Sequence, residues 1–111
     1  MASFIFNVTF DCADPRRLAR FWSEVTGYQP AEESDGFVRL RAPDSRGVRH
    51  LLFYKVPEPK QTKNRMHVDL ATKDGRPQEI ERLTQLGASE LATLPGWTVM
   101  ADPEGNEFCL G

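Results

Sequence analysis

The sequence predicts an α+β domain built from two tandem β-α-β-β-β modules. Five pairs of unrelated landmark residues recur at one constant separation of 60 positions, which indicates an internal duplication. Each copy opens with alternating apolar and polar residues, the pattern of a half-buried strand, and continues with apolar residues at helical spacing. The five pairs are Asn7 and His67, Asp14 and Asp74, Gly27 and Gly87, Gly36 and Gly96, and Pro43 and Pro103.

The first module is predicted over residues 1–56. Its first strand covers residues 4–11, where four apolar side chains form one face and polar side chains the other. A helix follows from Pro15 to Thr26, because Asp14 suits the N-cap, proline suits the first helical position and Gly27 suits the end. Three further strands are predicted at 28–33, 37–41 and 48–56. The apolar face of the first strand consists of Phe4, Phe6, Val8 and Phe10.

The second module is predicted over residues 65–111 and repeats this order. Its first strand covers residues 65–72, and Asp74 is the expected N-cap of a helix that ends near Gly87. Further strands are predicted at 88–93, 97–101 and 106–110. The polar, proline-bearing residues 57–64 form the predicted linker between the two modules. All 111 residues therefore belong to one predicted domain.

Composition excludes several classes of function. The net charge is −2, and 14 basic and 16 acidic residues are spread along the chain, so no basic cluster predicts nucleic-acid binding. The apolar runs are too short to span a bilayer, and no basic region followed by an apolar stretch predicts export. A cytoplasmic protein is therefore expected, with Cys12 and Cys109 reduced.

The polar faces of the two opening strands are the candidate site. They carry Asn7 and Thr9 in one module and His67 and Asp69 in the other. Such faces line a concave surface if the sheet curves, or meet water if it is flat. Three strand aromatics favour a ligand pocket, because apolar walls with a few polar groups are the usual composition of one. A dimer interface over the same surface is the alternative. The aromatics are Phe37, Phe53 and Trp97.

Motifs in both modules resemble the vicinal oxygen chelate superfamily, in particular its short glyoxalase-like members. They are NVTFDCADP at residues 7–15, MHVDL at 66–70 and DPEGNEF at 102–108. The superfamily includes glyoxalase I, extradiol dioxygenases, and fosfomycin- and bleomycin-resistance proteins. The resemblance implies a curved, mostly antiparallel sheet with a ligand cup. It leaves the activity open, because one fold hosts several chemistries.

The resemblance also implies where a metal would bind. Metal-dependent members place one ligand on each of the first, fourth, fifth and eighth strands, and these positions fall on Asn7, Leu51, His67 and Cys109. The fourth-strand position is placed at Leu51 by matching Gly47 to Gly105. Leucine cannot bind a metal and a neutral asparagine is a weak ligand, so the chain is expected to have no essential metal or other cofactor. The remaining possibility is a divalent metal held by His67 with Cys109 or Glu107.

The leading hypothesis is a glyoxalase-like protein that binds a small organic molecule in its cup. Alternatives are a metal-dependent lyase or dioxygenase of the glyoxalase type, and a drug-sequestering protein of the bleomycin-resistance kind. A small-molecule ligand and a second copy of the chain, in a homodimer, are the expected partners. His67 and Glu107 are the candidate catalytic residues, with His67 as general base. The expected ligand-binding residues are Asn7, Phe37, Arg39, Leu51, Phe53, His67, Asp69, Trp97, Glu107 and Cys109.

Overall fold

The chain folds into two compact units, residues 1–59 and 60–111, called module 1 and module 2 below. The structure is a computed structural model that describes residues 2–45 and 47–111. Each module contains one helix and one four-stranded mixed sheet. In each sheet one strand pair is parallel and two are antiparallel. This arrangement confirms the predicted α+β class and the β-α-β-β-β order.

Module 1 has strand order β1-β4-β3-β2. Helix α1 has the bounds that its local signals predicted: the Asp14 carboxylate accepts the N–H of Arg17 at 3.2 Å, and Gly27 ends the helix with a left-handed φ of 80°. The parallel pair β1–β4 starts with Asn7 opposite His50. The elements are β1 (Asn7–Cys12), α1 (Pro15–Thr26), β2 (Gln29–Glu33), β3 (Phe37–Arg41) and β4 (His50–Lys55).

The core of module 1 lies between α1 and one face of its sheet. Phe10 of β1 stacks on Phe53 of β4 with ring centroids 5.0 Å apart, and lies 5.3 Å from the Trp22 ring of α1. Leu51 and Phe53 are 7% and 0% exposed. The expectation that these two side chains line the ligand cup was therefore wrong, since they face the helix. The residue on the open face is Leu52, which lies opposite both Thr9 and Arg39.

Module 2 has strand order β5-β8-β7-β6. Its sheet buries Thr98, Met100, Phe108 and Leu110, each 0% exposed, on one face, and Leu83 of α2 is equally buried. The opposite face is open and carries the alternate residues of the same strands. The elements are β5 (Asp69–Leu70), α2 (Arg76–Leu86), β6 (Ser89–Thr93), β7 (Thr98–Ala101) and β8 (Glu107–Leu110).

Two predicted boundaries in module 2 were wrong. Strand β5 has two residues rather than the eight predicted over 65–72, because Asp69 and Leu70 are the residues that pair with β8. Helix α2 has Gly75, not Asp74, as its N-cap, and no side chain of the described chain caps it. The N–H of Asp74 instead donates to the Thr72 hydroxyl at 3.2 Å, so Asp74 lies in a turn before the helix.

The predicted first strand was also too long. Phe4, Ile5 and Phe6 precede β1 and remain 85%, 76% and 52% exposed. In the part of the chain that the structure describes, no helix has the length and apolar character needed to cross a membrane.

Candidate functional site

A cavity of about 540 Å³ opens on the sheet face of module 2 that points away from the buried core. Its volume is within the range of small-molecule sites. The apolar wall of this cavity is formed by Trp97, Val99 and Leu70, and Trp97 is 47% exposed. The lining residues are Lys63, His67, Asp69, Leu70, Trp97, Val99, Glu107, Cys109 and Gly111.

Strand register brings three polar side chains together at this cavity. Cys109 of β8 lies between Asp69 of β5 and Val99 of β7, directly opposite each. His67 is two residues before Asp69, and its Nε2 lies 3.3 Å from the Asp69 Oδ1. The candidate donor atoms of His67, Asp69 and Cys109 all lie within 4.8 Å of one another.

The Cys109 thiol is held in its neutral form. Burial raises its pKa above the ordinary value of 9.0, and the nearby Asp69 carboxylate raises it further, while Lys63 acts in the opposite direction. A thiol is a poor nucleophile until it is deprotonated. At neutral pH this side chain is therefore a small, weakly polar part of the cavity floor.

Glu107 anchors the segment that precedes His67. Its carboxylate accepts the backbone N–H of Asn64 at 3.0 Å, and the Lys60 ammonium lies 3.2 Å from it. The Asn64 hydrogen bond lowers the Glu107 pKa below its ordinary value of 4.5, and Lys60 lowers it further. The same segment carries Lys63 to the cavity. Residues 60–64 were predicted to belong to a linker, but these contacts make them part of the structure that forms the site.

The turn before β8 fixes where Cys109 lies. Asp102 is 3% exposed, and its Oδ1 accepts the backbone N–H groups of Glu104 and Asn106, each at 2.9 Å. The Asn106 side-chain amide donates to both carboxylate oxygens. Gly105 completes the turn with a φ of 87°, which favours glycine. The DPEGN sequence therefore sets the start, and hence the register, of β8.

The corresponding face of module 1 has different chemistry. Thr9, Arg39 and Leu52 occupy the pairing positions that Asp69, Val99 and Cys109 occupy in module 2. Arg39 forms an ion pair with Glu32 and lies 5.9 Å from the centroid of the Phe6 ring. Its guanidinium is therefore engaged within module 1.

Asn7 and His50 lie at the edge of that face. Asn7 Oδ1 is buried without a hydrogen-bond partner among residues 2–45 and 47–111. The neighbouring His50 lies opposite Asn7, and its Nδ1 is 3.2 Å from the Phe6 carbonyl oxygen.

The predicted site residues therefore fall into three places. Module 2 brings together His67, Asp69, Trp97, Glu107 and Cys109 around one cavity. Asn7, Phe37 and Arg39 lie on the open strand positions of module 1, whereas Leu51 and Phe53 belong to its core. Sequence reasoning missed Lys63, Leu70 and Val99, although the period of two that selected Trp97 also selects Val99.

A family model described as a glyoxalase-like domain matches residues 7–111. The chain belongs to this family. The match covers both modules, including the strand with Asn7 and the strand with Cys109. No curated protein matches the sequence significantly.

Solved structures of similar proteins share the fold over nearly the whole length. One is a glyoxalase/bleomycin resistance protein/dioxygenase family enzyme from Burkholderia phytofirmans, with 21% identity, 97% of each chain covered and a TM-score of 0.72. Another is the fosfomycin resistance protein FosX from Mesorhizobium loti, with 18% identity, 99% of this chain and 91% of that chain covered, and a TM-score of 0.71.

A third similar structure carries a metal. It is a mutant FosX from Listeria monocytogenes complexed with Mn(II) and 1S,2S-dihydroxypropylphosphonic acid, with 15% identity, 99% of this chain and 92% of that chain covered, and a TM-score of 0.77. At these identities, the similarity shows that the glyoxalase-like chain shares its fold with the three structures, but it does not show which ligand the chain binds.

The residues of this chain do not fit a hard ion such as Mn(II) at the four strand positions that the resemblance implies. With the register of β4 corrected, those positions hold Asn7, Leu52, His67 and Cys109. Hard divalent ions prefer carboxylate, carbonyl and water oxygens. One side chain here is an alkyl group and another a thiol, so the four positions lack the oxygen ligands that such an ion prefers.

Proposed function

We propose that this glyoxalase-like protein binds a small organic molecule in the module-2 cavity without a hard divalent ion. The observation that carries the proposal is a cavity of about 540 Å³ with an apolar wall at Trp97 and Val99 and a polar cluster at His67 and Asp69. Apolar walls supply binding free energy, and a few fixed polar groups orient the ligand.

The polar cluster supports hydrogen bonding and proton transfer more than covalent chemistry. Asp69 contacts the imidazole of His67 at Nε2, so the other ring nitrogen is the one that can contact a ligand while this pair is intact. A ligand with an acidic O–H or C–H group next to that nitrogen can transfer a proton to it. The neutral Cys109 thiol does not supply a nucleophile at neutral pH.

A thermal-shift screen against small organic acids, alcohols and antibiotics tests this proposal. A ligand at about 100 times its Kd stabilises the fold by about 2.7 kcal/mol, which raises the Tm of a domain of this size by roughly 10 °C. Binding is also expected to change the fluorescence of Trp97, which is half-exposed at the cavity, more than that of Trp22, which is 1% exposed.

Matched variants localise the binding. Trp97→Ala and His67→Ala are expected to abolish the ligand-induced shift. Leu91→Ala, which replaces a residue 55% exposed outside the cavity lining, is expected to retain it. The proposal fails if no compound stabilises the wild-type protein, or if every shift persists in Trp97→Ala.

A further inference from the structure

Three side chains with different donor atoms converge at the polar end of the module-2 cavity. They are the imidazole of His67, the carboxylate of Asp69 and the thiol of Cys109, with donor atoms mutually within 4.8 Å. All three lie in module 2. Nitrogen, oxygen and sulfur donors in one cluster are typical of sites for zinc and similar ions rather than for magnesium or manganese.

We propose that His67 Nε2, one Asp69 carboxylate oxygen and Cys109 Sγ form a binding site for a thiophilic divalent cation, with Zn²⁺ as the representative ion. This site goes beyond the binding of an organic molecule and does not depend on it. It also differs from a four-strand site, because Asp69 is a ligand and every ligand comes from a single module.

The distances require little rearrangement. A tetrahedral zinc with bonds of about 2.0–2.2 Å to nitrogen and oxygen separates those two atoms by about 3.3 Å, and His67 Nε2 and Asp69 Oδ1 already lie 3.3 Å apart. A bond of about 2.3 Å to sulfur places Sγ roughly 3.5 Å from each of the other donors. Since no two of the three donor atoms lie more than 4.8 Å apart, the Cys109 sulfur needs to approach the other two by about 1.3 Å at most.

The backbone holds two of the ligands in fixed register. Asp69 and Cys109 lie directly opposite each other on β5 and β8, and the Cys109 N–H donates to the Val68 carbonyl at 3.0 Å. Two of the three donor side chains are accessible from solvent, since those of His67 and Asp69 are 38% and 78% exposed. An ion can therefore reach the cluster without opening the core.

Charge also favours a divalent ion. Binding replaces the thiol proton by the metal and releases that proton to solvent, so the bound ligands carry two negative charges in total. Three protein ligands leave a fourth tetrahedral position, and the neighbouring cavity can supply a water or an organic ligand to fill it.

Cobalt substitution provides a direct test with a readout independent of activity. Metal-free protein without a histidine tag is titrated with Co²⁺, and a thiolate-to-cobalt charge-transfer band in the near ultraviolet is expected to reach its maximum at one equivalent. Zn²⁺ is expected to abolish this band, whereas an equal concentration of Mn²⁺ leaves it in place. Competition with a chromogenic zinc chelator then gives the Kd for Zn²⁺.

Single-residue variants identify the ligands. Cys109→Ser is expected to remove the charge-transfer band, and His67→Ala and Asp69→Asn to weaken Zn²⁺ binding by at least about 10-fold, since even indirect ligand contacts cost this much in metal sites. Asp69→Asn changes an exposed side chain and is not expected to affect folding. Cys12→Ser, which alters the cysteine of module 1, is the matched control and is expected to bind as the wild-type protein does.

Three results would overturn the proposal. They are no cobalt band at one equivalent, a band that persists in Cys109→Ser, and unchanged Zn²⁺ affinity in both His67→Ala and Asp69→Asn. None of them bears on a ligand-induced rise in Tm measured in the presence of a chelator, so the ion site and the organic ligand site are tested separately.

Discussion

At the scale of single residues, one pair of equivalent positions separates the two modules. Leu52 in module 1 lies between Thr9 and Arg39, as Cys109 in module 2 lies between Asp69 and Val99. A leucine offers no hydrogen bond and no metal ligand, whereas the cysteine, next to a carboxylate and an imidazole, offers both. The difference in chemistry between the two open faces therefore begins at this position.

Glu107 provides a pH-dependent test of the anchor on residues 60–64. Its folded-state pKa is lowered mainly by the Asn64 hydrogen bond. The ionised Glu107 carboxylate therefore stabilises the fold fully above the ordinary pKa of 4.5, and this stabilisation is lost as the pH falls through the lower, folded-state pKa. Glu107→Gln is expected to lower the free energy of unfolding by about 1 kcal/mol at pH 7, and by much less once the pH has fallen below the folded-state pKa of Glu107.

Urea denaturation of both proteins across this pH range measures the difference. Lys60→Met is a useful companion, because it removes the ammonium and leaves the Asn64 hydrogen bond in place. It is expected to have the smaller effect, since that hydrogen bond is the largest cause of the lowered pKa. A stability difference that does not change with pH would contradict an ionised anchor.

At the scale of secondary structure, the register of β4 decides which of two adjacent leucines is in the core. Leu51→Asn is expected to destabilise the protein by about 3 kcal/mol or more, because it removes a buried alkyl group and buries an amide. Leu52→Asn is expected to cost about 1 kcal/mol or less, as for other substitutions on an open strand face. Equal urea midpoints for the two variants would contradict the register.

The helix N-termini offer a second matched pair. Asp14→Ala is expected to destabilise the protein by about 1 kcal/mol, because the carboxylate accepts the Arg17 N–H at the start of α1. Asp74→Ala is expected to change stability by less than about 0.5 kcal/mol, because no side chain in the described ranges 2–45 and 47–111 caps α2. Thermal unfolding followed by circular dichroism measures both variants. A larger loss of stability for Asp74→Ala than for Asp14→Ala would contradict the assignment of Asp14 as the capping residue.

These cases also indicate what sequence reasoning could predict. Helix α1 was predicted correctly because Asp14, Pro15 and Gly27 act through neighbours in the chain. The face of β4 was predicted wrongly because it was inferred by matching Gly47 to Gly105. Leu52 lies five residues after Gly47, whereas Cys109 lies four residues after Gly105. A shift of one residue along a strand moves a side chain to the opposite face of the sheet. The anchor at Glu107 was missed because its partners, Lys60 and Asn64, are more than 40 positions away in sequence.

At the scale of the whole molecule, we expect the protein to form a homodimer. Phe4, Ile5 and Phe6 are consecutive and 85%, 76% and 52% exposed, and clustered exposed apolar side chains commonly mark an interface. Replacing Phe4 and Ile5 by serine together is expected to weaken the dimer by at least about 10-fold, since each buried side chain of this size contributes about 1.5–3 kcal/mol.

Sedimentation equilibrium of the wild-type and double-variant proteins measures this effect. Leu91→Ser removes a comparably exposed apolar side chain, at 55%, from β6 and serves as a control with unchanged association. A monomeric wild-type protein at all accessible concentrations would contradict the expected dimer.

The short strand β5 also provides a way to follow opening of the site in solution. Its backbone carbonyl at Leu70, and that of the preceding Val68, accept the amide protons of Gly111 and Cys109, each at 3.0 Å. Those two amide protons exchange with deuterium only when β5 separates from β8. Their exchange rates therefore report how often β5 and β8 separate, and slower exchange on adding Zn²⁺ or an organic compound would reveal binding next to Asp69 without a chemically attached probe.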